Sequence, residues 1–203
     1  YDCGEFEKTM NMALDLADYG GFARRRDDSK RRGKLRGIGI SNTVEKAGSP
    51  GLEGAELRFD RSGTATILAG SVTTGQGHET VFKQIVADRL GLKPEEIHYV
   101  WGDTDKVPFG HGSGGSRTSS MGGSAIHKTT EQIVAKATKL AAHLLEVPAD
   151  AVELKDGVFS AKGTNKTLTI KDIAKESIKP KSVPEDMELG MMASVVYQSK
   201  AGN

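Results

Sequence analysis

Cysteine is all but missing from this chain: Cys3 is the only one in 203 residues. A lone thiol excludes an internal disulfide, a CxxC redox pair, a cysteine zinc site and a four-cysteine iron–sulfur cluster. It fits a reducing, cytoplasmic setting. A nucleophilic Cys3 would need a base beside it, and no His or Asn is patterned nearby. Charge of one sign is missing too. The 28 Lys+Arg and 27 Asp+Glu leave a net charge of +1, so no global basic field draws nucleic acid. Aromatics make up only 5%, with no basic interleaving that would form a stacking platform for bases. No apolar run approaches the ~20 residues of a membrane span. The opening YDCGEFEKTM lacks the basic and apolar blocks of a signal peptide. The chain does not start with Met, opens on a helical pattern and stops after the strand-like MMASVVYQ, so it reads as a piece of a longer protein.

What is present suits a soluble globular chain, with 36% hydrophobic and 27% charged residues. Phe6, Met10, Ala13, Leu14 and Ala17 recur at the spacing of one helical face, and Gly20-Gly21 interrupts it. The mixed-charge run FARRRDDSKRRGK reads as a solvated helix with internal ion pairs in preference to an anion-binding surface, because an Asp pair breaks the positive block. Alternation over 36–44 (Ile38, Ile40 and Val44 against Gly37, Gly39 and Thr43) predicts a half-buried strand. GSPG is a loop. AELRFD and TATILAGSV predict two further strands, joined in a hairpin through Asp60–Gly63, and the three runs are expected to share a sheet.

Val81, Phe82, Ile85, Val86 and Leu90 form a helical stripe, with Gly91 as its terminator. IHYVW reads as a buried strand. The strongest helix signal follows, with Ile126, Ile133, Ala137, Leu140 and Leu144 at its centre. A hairpin at Asp156-Gly157, the strand TLTI and the short helix KDIAKESI complete the chain. The order is not a strict βαβ alternation, so the fold class is α+β: a mostly antiparallel or mixed sheet packed with a few long helices in two layers. The chain, 1–203, reads as one domain fragment with a helical lead-in (1–33), a core (34–147) and a small α/β C-terminal part (148–203).

Two glycine-rich loops stand out, each running into a helix. In SVTTGQGHET, Gly75 and Gly77 allow a sharp turn and close approach of a ligand. The helix start supplies free N–H groups and the positive end of a dipole, while Thr73, Thr74, Gln76 and Thr80 add polar partners. In GDTDKVPFGHGSGGSRTSSMGGS, Gly112, Gly114 and Gly115 precede Ser116-Arg117-Thr118-Ser119. Amides, hydroxyls and a guanidinium there form a second anion cradle. One such turn is weak evidence, and a ligand-free turn explains it about equally well. Two together point to a ligand with two phosphates or two polar ends. His78 reads either as a helix-start donor or as a ligand contact, and His111 as an ordinary loop histidine. Asp103 and Asp105 fit turn formation as well as they fit a base or metal role.

Several chemistries drop out. HETVF begins like the zinc helix HExxH, but Phe82 stands where the second His must be. A P-loop needs Lys-Ser/Thr after its last glycine, and Gly77 is followed by His78-Glu79. GQGHET carries Thr80 in place of the third glycine of a dinucleotide fingerprint. No metal ligands are assigned. A non-catalytic module for a nucleotide or phosphorylated ligand remains the alternative, as does an interaction domain whose loops hold nothing.

TTGQGHETVFKQIVADRLGL followed by GDTDKVPFGHGSGGSRTSSMGGSAI resembles the molybdopterin-binding large subunit of the xanthine dehydrogenase and aldehyde oxidase family, in particular aerobic carbon monoxide dehydrogenase large chains. The similarity runs from Tyr1 to about Ile173. It implies a molybdopterin-binding fold and an oxidoreductase that hydroxylates or oxidises a small molecule with oxygen from water. The molybdenum would be carried by a pterin, in bacteria often the cytosine dinucleotide form, with no protein ligand required. Electrons would leave through iron–sulfur and FAD subunits, and the remaining molybdopterin-binding domains of the same subunit would be further partners. Gly75, Gln76, Gly77 and His78 match the first cofactor loop, with Thr80 just beyond it; Gly115, Ser116, Arg117 and Thr118 match the second; Thr74 and Thr80 are counted with them as cofactor-binding. Thr74 stands where relatives often have Gln or Met, and Gly114 where an aromatic is common. The family's catalytic glutamate motif has no counterpart before Asn203, and the substrate loop over the metal would precede Tyr1. The resemblance therefore implies a cofactor-binding fragment with no catalytic residue of its own, inactive in isolation.

Overall fold

The computed structural model describes residues 3–43, 48, 51–107 and 109–199. It divides into two compact units, with the boundary between residues 44 and 45. The first unit holds helices α1 (Phe6–Leu16) and α2 (Phe22–Arg31). The left-handed Asp18 starts a short turn between them, its carboxylate accepting from the Gly21 amide. The charged run is the ion-paired helix expected of it: Asp28 pairs with Arg31 and Arg32, and Asp18 with Arg25.

The strand expected over 36–44 does not form among the described residues; 34–43 carry no regular structure, and Val44 lies outside them. Neither side of the alternation is buried, since Ile38 and Ile40 are themselves exposed, and alternation alone does not supply a ladder partner. Ile38 and Ile40 instead line a shallow groove with Met10, Ala13, Leu14 and Ala17, so this segment lies along the apolar stripe of α1. Gly37 and Gly39, with no side chain to pack, further weaken a strand here.

In the second unit the hydrophobic pattern produces a four-stranded mixed sheet, in the order β3 (Ile97–Trp101), β2 (Ala65–Ala69), β1 (Leu52–Phe59) and β7 (Met192–Gln198). Strands β1 (Leu52–Phe59) and β2 (Ala65–Ala69) form the expected hairpin, with Ala55 opposite Ala69 and Phe59 opposite Ala65. Its turn is tied by Asp60, whose carboxylate accepts from the amides of Ser62 (2.8 Å) and Thr64 (3.1 Å). The Ser62 hydroxyl above all, together with these amide bonds, holds the Asp60 carboxyl below its usual range. Helix α3 (His78–Leu90) carries the chain over to β3 (Ile97–Trp101), which runs parallel to β2. β7 (Met192–Gln198) returns to pair antiparallel with β1. The fold is α+β with a mixed sheet, as the sequence predicts.

Helix α4 (Gly123–Leu145) lies across this sheet. Its Ile126, Ile133, Ala137 and Leu140 join Phe82, Val86 and Leu90 of α3 and Leu57, Ile67 and Ile97 of the strands in one core. A second, antiparallel sheet of β4 (Val152–Lys155), β5 (Val158–Ala161) and β6 (Thr167–Thr169) feeds Phe159 and Ala161 into the same core. α5 (Ile170–Glu176) begins in a reciprocal cap between Thr169 and Asp172. Among the described residues no helix is long and apolar enough to cross a membrane.

The end of α3 meets the β4–β5 turn backbone to backbone. A Cβ on Gly91, which has φ +64°, would lie 2.5 Å from the Gly157 Cα. Gly163 has a similar φ of +76° but open space around it. Gly91→Ala is expected to cost about 3 kcal/mol in urea unfolding, combining left-handed strain with a backbone clash. Gly163→Ala should cost about 1 kcal/mol, from strain alone.

Candidate functional site

β2 ends at Ala69, and the chain continues through Gly70 and the buried Ser71 into the first loop. The Tyr99 hydroxyl donates to the Ser71 carbonyl at 3.0 Å and anchors the base of the loop. Burial raises the Tyr99 pKa well above the ordinary phenol value, so it stays a neutral donor. Gly75 (φ 110°) and Gly77 (φ 75°) make the turn, and both Cβ directions open onto empty space. Gln76 folds its side-chain carbonyl back onto the Thr74 amide and the Thr73 hydroxyl, which leaves its amide nitrogen as a donor. Gly77 begins α3 without a side-chain cap, and the first backbone bond of the helix is Val81 N–H to Gly77 O. The amides of His78, Glu79 and Thr80 are thus the unpaired donors of a helix start.

His78 stacks on Phe82, with ring centroids 5.5 Å apart. Its Nδ1 is shielded from solvent yet has no hydrogen-bond partner. An unsatisfied buried ring nitrogen costs stability unless something binds to it.

The second loop comes in over the end of the β1–β2 hairpin. Gly110 and Gly70 touch backbone to backbone; a Cβ on either would lie 2.1 Å from the other's Cα. Beyond it, Gly112, Gly115 and Ser116 all take positive φ (73°, 56° and 51°). Residues Thr118–Gly122 then form a π-helical turn leading into α4, a local widening common at binding sites. The two loops are stitched together. Thr118 donates to the Ser113 hydroxyl at 3.1 Å, and Ser113 donates to the Val72 carbonyl.

Between the loops lies a cleft of about 590 Å³ lined by Val72, Thr74, Gln76 and His78 on one side and Ser113, Gly114, Ser116, Thr118 and Ser119 on the other. This is the size range of small-molecule sites. Among the described residues no Lys, Arg, Asp or Glu lines it, so it offers hydrogen bonds and backbone dipoles rather than ion pairs. Among the described residues no group of His, Cys, Asp and Glu could hold a metal. Asp103 forms a turn, accepting from the Asp105 amide and pairing with Lys106, and His111 lies on the surface against the Leu52 carbonyl.

Of the residues singled out from sequence, Thr74, Gln76, His78, Ser116 and Thr118 come together here, while Gly75, Gly77 and Gly115 shape the turns around them. Two do not join them. Thr80 lines a separate groove with Lys83, Gln84 and Asp88, because it lies on a different face of α3 from His78. Arg117 turns inward: its guanidinium donates to the Leu52 carbonyl and lies 3.3 Å from the carboxylate of Glu53. The expected cationic cradle is therefore neutral.

Glu53 is fully buried, and neither carboxylate oxygen has a hydrogen bond of good geometry. Desolvation pushes its pKa above the usual carboxylate value; Arg117 and the amides of Gly54 and His111 offset only part of this. Sequence reading missed Glu53, although it alternates in phase with the core-facing Ala55 and Leu57. An acidic residue in phase with a buried strand face is the signal that could have found it. Ser113 and Val72 carried no such signal, since only the crossing of the loops brings them to the cleft.

With this geometry in place, comparison with known proteins gives consistent matches. The molybdopterin cofactor-binding domain family matches residues 12–203. The chain is 34% identical over 203 residues to the 6-hydroxypseudooxynicotine dehydrogenase complex subunit gamma of Paenarthrobacter nicotinovorans, covering all of this chain and 26% of that protein. It is also 34% identical to the carbon monoxide dehydrogenase large chain of Hydrogenophaga pseudoflava, covering 97% of this chain and 26% of the other. Among solved structures, reconstituted CO dehydrogenase from Oligotropha carboxidovorans superposes with a TM-score of 0.73 at 32% identity, over 98% of this chain and 27% of that one. The chain thus spans about a quarter of the length of the curated relatives it matches.

The contact between Gly70 and Gly110 sets where the second loop lies. Gly110→Ala is expected to destabilise the unit by about 2–3 kcal/mol through overpacking of rigid backbone. Gly114→Ala, at a position with open space, should stay within about 0.5 kcal/mol of the parent in the same denaturation assay.

Proposed function

The chain belongs to the molybdopterin cofactor-binding domain family, and on that basis we propose that the cleft between its two glycine-rich loops holds the pterin cofactor of a molybdenum hydroxylase. The observation that carries this reading is the convergence of both loops on one uncharged cleft, with a shielded, partnerless His78 Nδ1 and an uncapped helix start at its edge. The donor set fits an extended, polar, anionic group. Gly75 and Gly77 leave room for backbone approach. The amides at the start of α3 suit a phosphate. Gln76, Ser116 and Thr118, with His78, offer directional partners to polar edges. Thr74 and Gly115 complete the two turns. Thr80 contributes through its backbone amide, and Arg117 through the shape of its loop.

The cofactor supplies the redox centre at which a small substrate is oxidised with oxygen taken from water. This chain's part is to bind, orient and shield it. We assign the cytosine dinucleotide form of the pterin because two separate polar turns suit a ligand with two polar ends. The relatives are named as a subunit of a dehydrogenase complex and as large chains. That supports iron–sulfur and FAD partner subunits and a substrate pocket completed by the other molybdopterin-binding domains. The absence of a carboxylate from the cleft supports an isolated chain that binds but does not turn over substrate. A cytoplasmic location agrees with a single, exposed cysteine.

The test uses the full-length protein that contains this segment, purified as matured enzyme. Denaturation should release one pterin dinucleotide per molybdenum, identified by mass spectrometry and elemental analysis; absence of both overturns the reading. His78→Phe keeps a ring against Phe82 but removes Nδ1. Gln76→Ala removes the amide donor. Each should lower pterin retention about fivefold, the equivalent of about 1 kcal/mol for one hydrogen bond. The melting temperature should hardly change.

A further inference from the structure

The cleft has no charged lining, yet a charged pair is buried directly behind one of its walls. Glu53 is fully buried near the start of β1, and the Arg117 side chain is only 12% exposed. Buried ion pairs are no better for stability than apolar packing of the same shape. Apolar side chains would serve as well if stability were the only requirement. What the pair adds is direction. The guanidinium reaches back from the far end of the second loop to the Leu52 carbonyl and to Glu53 together. The near end of the same loop is seated on the same strand. Phe109 packs over Gly54, Gly110 touches Gly70, and a Cβ on Gly110 would lie 2.8 Å from Glu53 Oε1. His111 reaches the Leu52 carbonyl at 3.1 Å.

Glu53 therefore touches both ends of the loop. Between them, Gly112, Gly115 and Ser116 hold left-handed backbone conformations, of which Ser116 is strained. Such conformations persist only where the surroundings over-determine them.

We propose that Glu53 and Arg117 form a clamp that positions residues 109–118 for the cofactor, with Glu53 acting through Arg117 and through the backbone at Gly110. Glu53 is a positioning residue: it contacts neither the cleft nor its occupant, and it sets the presentation of Ser113, Ser116 and Thr118. This inference rests on the reading of the cleft as the pterin site.

The test again uses the full-length holoprotein, with Glu53→Gln, Arg117→Met and the double variant. Two quantities are read: pterin and molybdenum per chain, and amide hydrogen exchange of 109–118 with the 52–69 hairpin as internal reference. Each single variant should speed exchange in 109–118 while the hairpin keeps its protection. Each should also lower occupancy about tenfold, the lower end of what supporting partners of a bound group cost. The double variant should be no worse than the poorer single one, because both disable the same clamp. Wild-type exchange and occupancy in Glu53→Gln overturns the proposal, as do losses that multiply in the double variant. So does a loss of protection spread over the whole hairpin, which a merely structural role would produce. If Glu53→Gln does not fold, Arg117→Lys keeps the charge but loses the planar fork; unchanged exchange and occupancy there overturns the proposal equally. If Glu53→Gln is normal while His78→Phe empties the site, the clamp fails and the cofactor reading stands. A wild-type protein without pterin, in which Glu53→Gln still loosens 109–118, has the clamp but another ligand.

Discussion

The second loop has to lie on the end of the β1–β2 hairpin, and everything at the cleft depends on that contact. Gly70 and Gly110 let two backbones meet without side chains between them. That contact leaves little space around the neighbouring Glu53 carboxylate, which is fully buried. A bare carboxylate in such a place is costly, and the guanidinium of Arg117 comes in to meet it. The crossing of the loop, the buried pair and the neutrality of the cleft wall are linked consequences of one close approach.

This arrangement changes what the cleft can offer a ligand. A cationic cradle would bind anions of many kinds through charge. Here the charge is spent internally, and the cleft is left with amides, hydroxyls, one carboxamide and one imidazole. Those groups discriminate by direction and distance rather than by net charge.

The legible and illegible parts divide along a physical line. The β1–β2 hairpin, α3 with its Gly91 stop, α4 and the Asp156-Gly157 turn were readable because each is set by nearest neighbours: periodicity, a cap or a left-handed turn residue. The 36–44 strand was misread because alternation cannot say whether a partner strand exists. In the site, the glycine turns and His78 were legible as local features ahead of a helix. Thr80 lies two residues along α3 from His78, so its side chain is on a different face and lines the neighbouring groove.

Sequence alone therefore determined most of the elements, the two polar turns and the family resemblance. These follow from residue type and spacing over a few positions. Only the tertiary structure decided that the two turns face each other, that Ser113 and Val72 join them, and that Arg117 turns away from the cleft toward Glu53. Arg117 and Glu53 lie far apart in the chain, and so do Gly70 and Gly110. Their meeting depends on where β1, β2 and the loop end up once the sheet is packed under α4, which no local pattern encodes.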